Sequence, residues 1–460
     1  MWRAFMNALK VKELRNRLLF TALIIVLVRF TSSIPCPGVN STALENFISN
    51  VTAKSESAGG VMAMIDLFSG GAMTHFALGA LGIMPYITAS IIMQLLVPVI
   101  PSLEKLQRDG ESGRGKISQY TRYLTLVVCA VQGLMVALAM INPAKIGLPT
   151  PEHPLFVGNP VLFIIANIVV LTCTTMVFTW LGEQITERGI GNGVSLIITI
   201  GIVSRMPHSV IELIDMAMKG STPTGAAFRP VQLLLLLAVF CVVTAATIML
   251  SQGYRRIPIQ MVRKSSVGRM TDGSTYMPLK VNFANVMPII FAGAILMLPQ
   301  TLFPILARRP DAWSGWTTLA LAFQHDKVTY AVVYGALIIL FSFFWVANQF
   351  NPLQIADNLK KEGAYIPGIS PGQPTADFLD SAMTRVTTGG AVFLLALALF
   401  PMFLYNTFGI PFMVAQFFGG TSLLIMVGVV LDTMSQLESH LTMRHYEGFL
   451  KSGRLRSRSN

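Results

Sequence analysis

Apolar residues gather in ten stretches, at 18–38, 76–97, 119–141, 161–182, 194–206, 231–251, 284–306, 330–349, 387–407 and 411–431. A helix needs about 20 mainly apolar residues to cross the hydrocarbon core, so the pattern predicts an all-α integral membrane protein with ten spans. Two spans are irregular. The second carries Gly79, Gly82 and Pro85 in its interior, and the fifth is short and opens on Gly189-Ile190-Gly191-Asn192-Gly193. Both are expected to be partly broken, as helices are where they are buried in protein or line a cavity. Ahead of the second span, 61–68 (VMAMIDLF) forms an apolar helix candidate too short to cross, ended by Ser69-Gly70-Gly71. On these residues alone, an interfacial helix and a pathway element are equally open readings.

Charge orients the spans. Of 34 lysines and arginines, 25 fall in alternate gaps or at their edges, 8 in or at the edges of the others (Arg205 among them), and Arg29 alone lies deep within a span. Positive charge collects on the cytoplasmic side, which places both termini in the cytoplasm and the first span as retained, not cleaved. The formal net charge of +12 is therefore not a nucleic-acid footprint, which would cluster on one folded face. Most of these residues set topology, although a basic inner face can also meet anionic lipid, an acidic partner or ribosomal RNA.

Candidate chemistry is sparse. The six histidines show no H-E-x-x-H pattern, and Cys36, Cys129, Cys173 and Cys241 share no motif spacing, so neither a metal nor a disulfide is indicated. No Asp or Glu lies mid-span, which weakens an ion-coupled small-solute transporter. Arg29 is read as snorkelling outward or facing the bundle interior. Gly110-Glu-Ser-Gly-Arg-Gly115-Lys116 fits the start of a phosphate-binding loop, but Ile117 stands where a hydroxyl should reach magnesium. That segment is expected to be a flexible inner loop. The reading is a non-enzyme without cofactor, whose energy would come from a partner.

Several strings point to a family. They include Ile34-Pro35-Cys36-Pro37-Gly38, Phe68-Ser69-Gly70-Gly71-Ala72, Gly82-Ile83-Met84-Pro85-Tyr86-Ile87, WLGEQITERGIGNG over 180–193, Leu279-Lys280-Val281-Asn282, Asn351-Pro352, Ile366-Pro367-Gly368-Ile369 and Gly419-Gly420-Thr421-Ser422. Nearly end to end, the chain resembles the SecY family of bacterial protein-translocation channels. The resemblance implies two inverted five-helix halves around an hourglass pore. Its divisions here would be a cytoplasmic N-terminus at 1–17, an N-terminal half at 18–207, an outer connection at 208–230, a C-terminal half at 231–433 and a cytoplasmic tail at 434–460.

The same resemblance implies the site residues. An aliphatic ring at the waist falls on Ile83, Ile87, Val194, Ile198, Ile290 and Ile425. Such a ring seals by dewetting while yielding to any passing peptide. The 61–71 segment becomes a plug, carrying Met64, Ile65, Asp66, Leu67, Phe68, Ser69, Gly70 and Gly71. Thr88, Gln132 and Asn282 match polar positions of a lateral gate. The inner loops 252–280 and 351–385 resemble docking surfaces for a motor ATPase and the ribosome, with Arg255, Arg256, Lys360 and Lys361 as the basic positions. Ser370 replaces an Arg tied to motor coupling, Asn285 replaces a usual Gly, and Val194 a usual Ile.

Implied partners are the small membrane subunits SecE and SecG, the motor SecA, the ribosome, signal-bearing preproteins, anionic lipid and the YidC insertase. The implied role is a protein-conducting channel in the bacterial plasma membrane; the rivals are a small-solute transporter and an insertion-only platform.

Overall fold

A computed structural model describes residues 11–54, 69–143, 153–220, 230–261, 275–307, 315–324, 327–410 and 412–452. Val61 to Phe68, with most of the expected plug, lie outside the described residues. The chain divides into two compact bodies, one of Met1–Ile211 with Ile425–Asn460 and one of Glu212–Leu424.

In the first body the chain forms α1 (Lys12–Thr31), α2 (Ser41–Lys54), α3 (Met84–Leu96), α4 (Pro101–Arg108), α5 (Glu111–Ile141), α6 (Pro160–Arg188) and most of α7 (Gly193–Lys219), whose residues from Glu212 on belong to the second. The second holds α8 (Pro230–Gln252), β1 (Tyr254–Met261), β2 (Thr275–Lys280), α9 (Met287–Ala307), α10 (Gly315–Ala322) and α11 (Val328–Gln349). It continues through α12 (Pro352–Lys361), β3 (Ala364–Tyr365), α13 (Gln373–Phe408) and α14 (Phe412–Phe418). The last helix, α15 (Thr421–Ser452), begins in the second body and supplies the C-terminal part of the first.

Among the described residues, seven helices are long and apolar enough to cross a membrane, or eight if α3 and α4, bent by 102°, count as one span. With α1 and α9, these coincide with the ten expected spans. Burial along α6 shows what solvent surrounds them. It buries Asn167, Thr175 and Thr179 while exposing Leu162, Ile165 and Val169. Water would favour the reverse arrangement, whereas a lipid-facing helix needs its backbone bonds satisfied internally and its apolar side chains outward. In α8 only 22% of the apolar stretch is buried, against 67% in the 414–442 stretch formed by α14 and α15.

Four boundaries differ from expectation. The second span is helical only from Met84, because 69–83 is a turn segment whose backbone is tied elsewhere: Cys36 N donates to Phe76 O (2.9 Å) and Leu78 N to Ile34 O (2.8 Å). Pro85 then sits in the first helical turn, where its missing N–H is no loss. The fifth span is not short; α7 continues through Pro207 for 27 residues, and Ser209, Leu213 and Met216 keep one face buried although Glu212 and Asp215 lower the apolar average. The tenth is divided at Gly419-Gly420 into α14 and α15, and α15 runs past the expected end at 431. The 110–116 segment is no flexible loop: from Glu111 onward it is the start of α5.

The 180–193 string is a junction within the first body. Ile190 N donates to Thr21 Oγ1 of α1 (3.3 Å), Gly191 N to Gln436 Oε1 of α15 (3.0 Å), and Gly193 N to Thr186 Oγ1 (2.9 Å). Leu14, Ile190 and Leu437 pack together beneath it. Gly191 has φ +90°, and a Cβ there would lie 3.0 Å from Thr433 Oγ1, so only glycine fits without strain.

Candidate functional site

Four of the six expected ring residues come in two helix-face pairs. Ile83 caps α3, and Ile87 N donates to Ile83 O (3.1 Å), stacking the two on one face. Ile83 is 2% exposed and Ile87 half-buried. The start of this pair is set by α6, where buried Thr175 Oγ1 donates to Gly82 O (3.1 Å). On α7, Ile198 is buried and Val194, four residues earlier, lies over Gly182 of α6, which has no side chain to obstruct it. Ile425 is buried in α15. These five belong to the first body. Ile290 belongs to the second, where Ile289 and Phe291 turn into the core, Phe291 stacking on Phe341 at 5.4 Å, and Ile290 is left half-buried.

Of the gate positions, Thr88 and Gln132 lie half-buried on α3 and α5, a packed pair of helices in the first body. Thr88 Oγ1 satisfies itself on Met84 O (3.1 Å). Asn282 is buried in the second body, where the chain at Val281–Asn282 lies against Gly390 of α13.

Only Ser69, Gly70 and Gly71 of the plug residues are described. Arg29 faces the bundle interior, its Nη1 donating to Gly70 O (3.0 Å). Arg205, counted from the sequence only among the outer charges, has its Nη2 donating to Thr74 Oγ1 (2.8 Å). Thr175 carries no signal in the sequence, since a lone threonine in an apolar helix has no pattern of its own.

The segments 252–280 and 351–385 share one small sheet, ordered β2-β1-β3. Arg255 pairs with Leu279 and Arg256 with Pro278, while Gln260 pairs with Tyr365 of the second loop, whose hydroxyl donates to Gln260 Oε1 (2.9 Å). Ile257 and Ile259 turn inward, and Arg255, Arg256, Lys360 and Lys361 stay exposed.

The family model for SecY matches residues 77–434. The chain is 40% identical to the protein translocase subunit SecY of Escherichia coli K12 over 447 residues, covering 96% of this chain and 95% of that one. It belongs to the SecY family. The SecY of Chlamydia muridarum is 39% identical over 457 residues, covering 97% and 98%. A solved structure described as that of a protein conducting channel superposes with a TM-score of 0.59 at 17% identity, covering 92% of each chain. Sec61 in a canine ribosome-channel complex gives 0.54 at 17%, again covering 92% of each. The fold is that of these channels.

Asn285, where the resemblance expects Gly, stands at a backbone position that favours glycine. Asn285 adopts φ +51° just before α9, a left-handed conformation that glycine takes freely and asparagine tolerates better than other side-chain-bearing residues. Ser370 is exposed in the turn before α13, its carbonyl accepting from Thr375 Oγ1 (2.8 Å).

Proposed function

We propose that this SecY-family chain is the channel-forming subunit that passes unfolded, signal-bearing preproteins across the bacterial plasma membrane and releases apolar segments sideways into lipid. The observation that carries this reading is near-full-length identity of about two residues in five to translocase SecY subunits. Lateral release is driven by burial of apolar surface, about 25 cal/mol per Å². The aliphatic set Ile83, Ile87, Val194, Ile198, Ile290 and Ile425 is the gasket, the 61–71 segment is the plug, and Thr88, Gln132 and Asn282 line the seam. Both termini face the cytoplasm.

The exposed arginines of β1 and the lysines ending α12 support a shared docking surface for the SecA motor and the ribosome, because one sheet joins the two loops that carry them. SecE and SecG complete the complex, YidC receives inserted segments, and anionic lipid meets the same basic face.

The test is protease protection of a precursor in proteoliposomes holding the chain, SecE, SecG, SecA and ATP. Protection is expected. An unprotected precursor that recovers with Ser370→Arg, a change at an exposed position, would locate a defect in motor coupling. Failure without rescue, in vesicles that still insert membrane proteins, would overturn export in favour of an insertion-only role.

A further inference from the structure

The segment following the expected plug is gripped by two cations from different helices, one on its backbone and one on a side chain. Gly70 O accepts from Arg29 Nη1 of α1 (3.0 Å), with Ser204 Oγ of α7, whose proton goes chiefly to Gly201 O (2.7 Å), 3.3 Å away. Four residues on, Thr74 Oγ1 accepts from Arg205 Nη2 (2.8 Å) and itself donates to Gly71 O (2.8 Å). Space is used up at both glycines. A Cβ on Gly70 would collide with Arg29 Nη1 and come within 2.8 Å of Gly201 Cα, and one on Gly71 would lie 3.0 Å from Arg205 Cζ. Both glycines also have positive φ, +64° and +95°. The guanidinium groups lie close enough to feel each other's charge. Their shared approach to one short loop is held by the acceptors that loop presents, since hydrogen bonds from charged donors are roughly twice as strong as neutral ones.

We propose that Arg29 and Arg205 are positioning residues for gating, a two-point clamp on Gly70–Thr74 that holds the plug's C-terminal hinge in the resting channel. The proposal rests on the reading of 61–71 as the plug. Arg29 acts on the hinge through the Gly70 carbonyl, and Arg205 through the Thr74 hydroxyl. Opening must break both interactions, so the clamp sets how rarely the channel opens without a substrate.

The experiment records resting openings of the full chain with its small subunits in planar bilayers. Arg29→Gln and Arg205→Gln are each expected to raise the frequency of openings by about tenfold, the scale of one charge-assisted hydrogen bond. Thr74→Val removes the acceptor of Arg205 while keeping both arginines, and should act in the same direction. Deletion of 61–68 serves as the reference, and on that background the arginine substitutions should add nothing. If the deletion raises openings and the arginine and Thr74 variants do not, the clamp is wrong and the plug reading stands. If the deletion itself changes nothing, the plug reading fails and the clamp with it. Equal increases from the arginine variants with and without 61–68 would show that they act on the pore wall, overturning the clamp.

Discussion

Replacing Thr175 with valine removes one hydroxyl at nearly unchanged shape. Thr175 is 1% exposed, and its hydroxyl donates to Gly82 O, the last turn residue before Ile83 and α3. The Cys129 thiol also bonds weakly to the Thr175 side chain, and the valine variant forgoes that interaction too. A buried carbonyl left without its donor costs about 1–3 kcal/mol, or roughly a five- to 150-fold shift in the population of the ordered turn. Thr179 provides the control, because it is equally buried and its hydroxyl only doubles back on Thr175 O within α6 (2.9 Å). Hydrogen exchange of the full chain in detergent reads the difference directly, since local opening free energy sets amide protection. Thr175→Val should speed exchange across 82–87 by that factor, and Thr179→Val by no more than about twofold on the same basis. Equal protection in both variants, or acceleration spread over the whole chain, would refute the assignment of Thr175 as the anchor of the broken span.

Replacing Ile83, Ile87, Ile198 and Ile290 together with glycine should raise ion conductance in planar bilayers, because the apolar constriction loses the side chains that exclude water; unchanged conductance would remove the gasket assignment. Gly191→Ala should cost about 1–3 kcal/mol from its φ of +90°, lowering the thermal midpoint in detergent, and Thr433→Ala should recover the part due to crowding. An unaffected midpoint would show that the junction yields freely. Reversing Arg255 and Arg256 to Glu should weaken ribosome or motor binding by about tenfold at low salt, shrinking as the Debye length falls from about 10 Å at 0.1 M to about 3 Å at 1 M. Equal affinity in a low-salt pull-down would leave them as topology markers.

The sequence by itself determined the class, the places of ten spans and the family. Each follows from local quantities: apolar run length, the alternation of Lys and Arg between runs, and strings such as WLGEQITERGIGNG that need no partner to be read. Boundaries were legible wherever apolar content changed sharply, as at the two ends of α8. They were misplaced where a helix continued on amphipathic periodicity past Pro207, or where apolar residues folded as turns because Ile34 and Cys36 supply backbone partners to 76–78. Helical patterning cannot distinguish those cases, because the competing hydrogen bonds come from residues remote in the chain. Only the tertiary structure decided that Arg29 turns inward and meets Gly70 alongside Ser204, that Thr175 anchors Gly82, and that the segments 252–280 and 351–385 share one sheet. A side chain's role in a membrane interior depends on which polar group lies within about 3 Å of it, and that distance is fixed by packing between segments rather than by any segment's own composition.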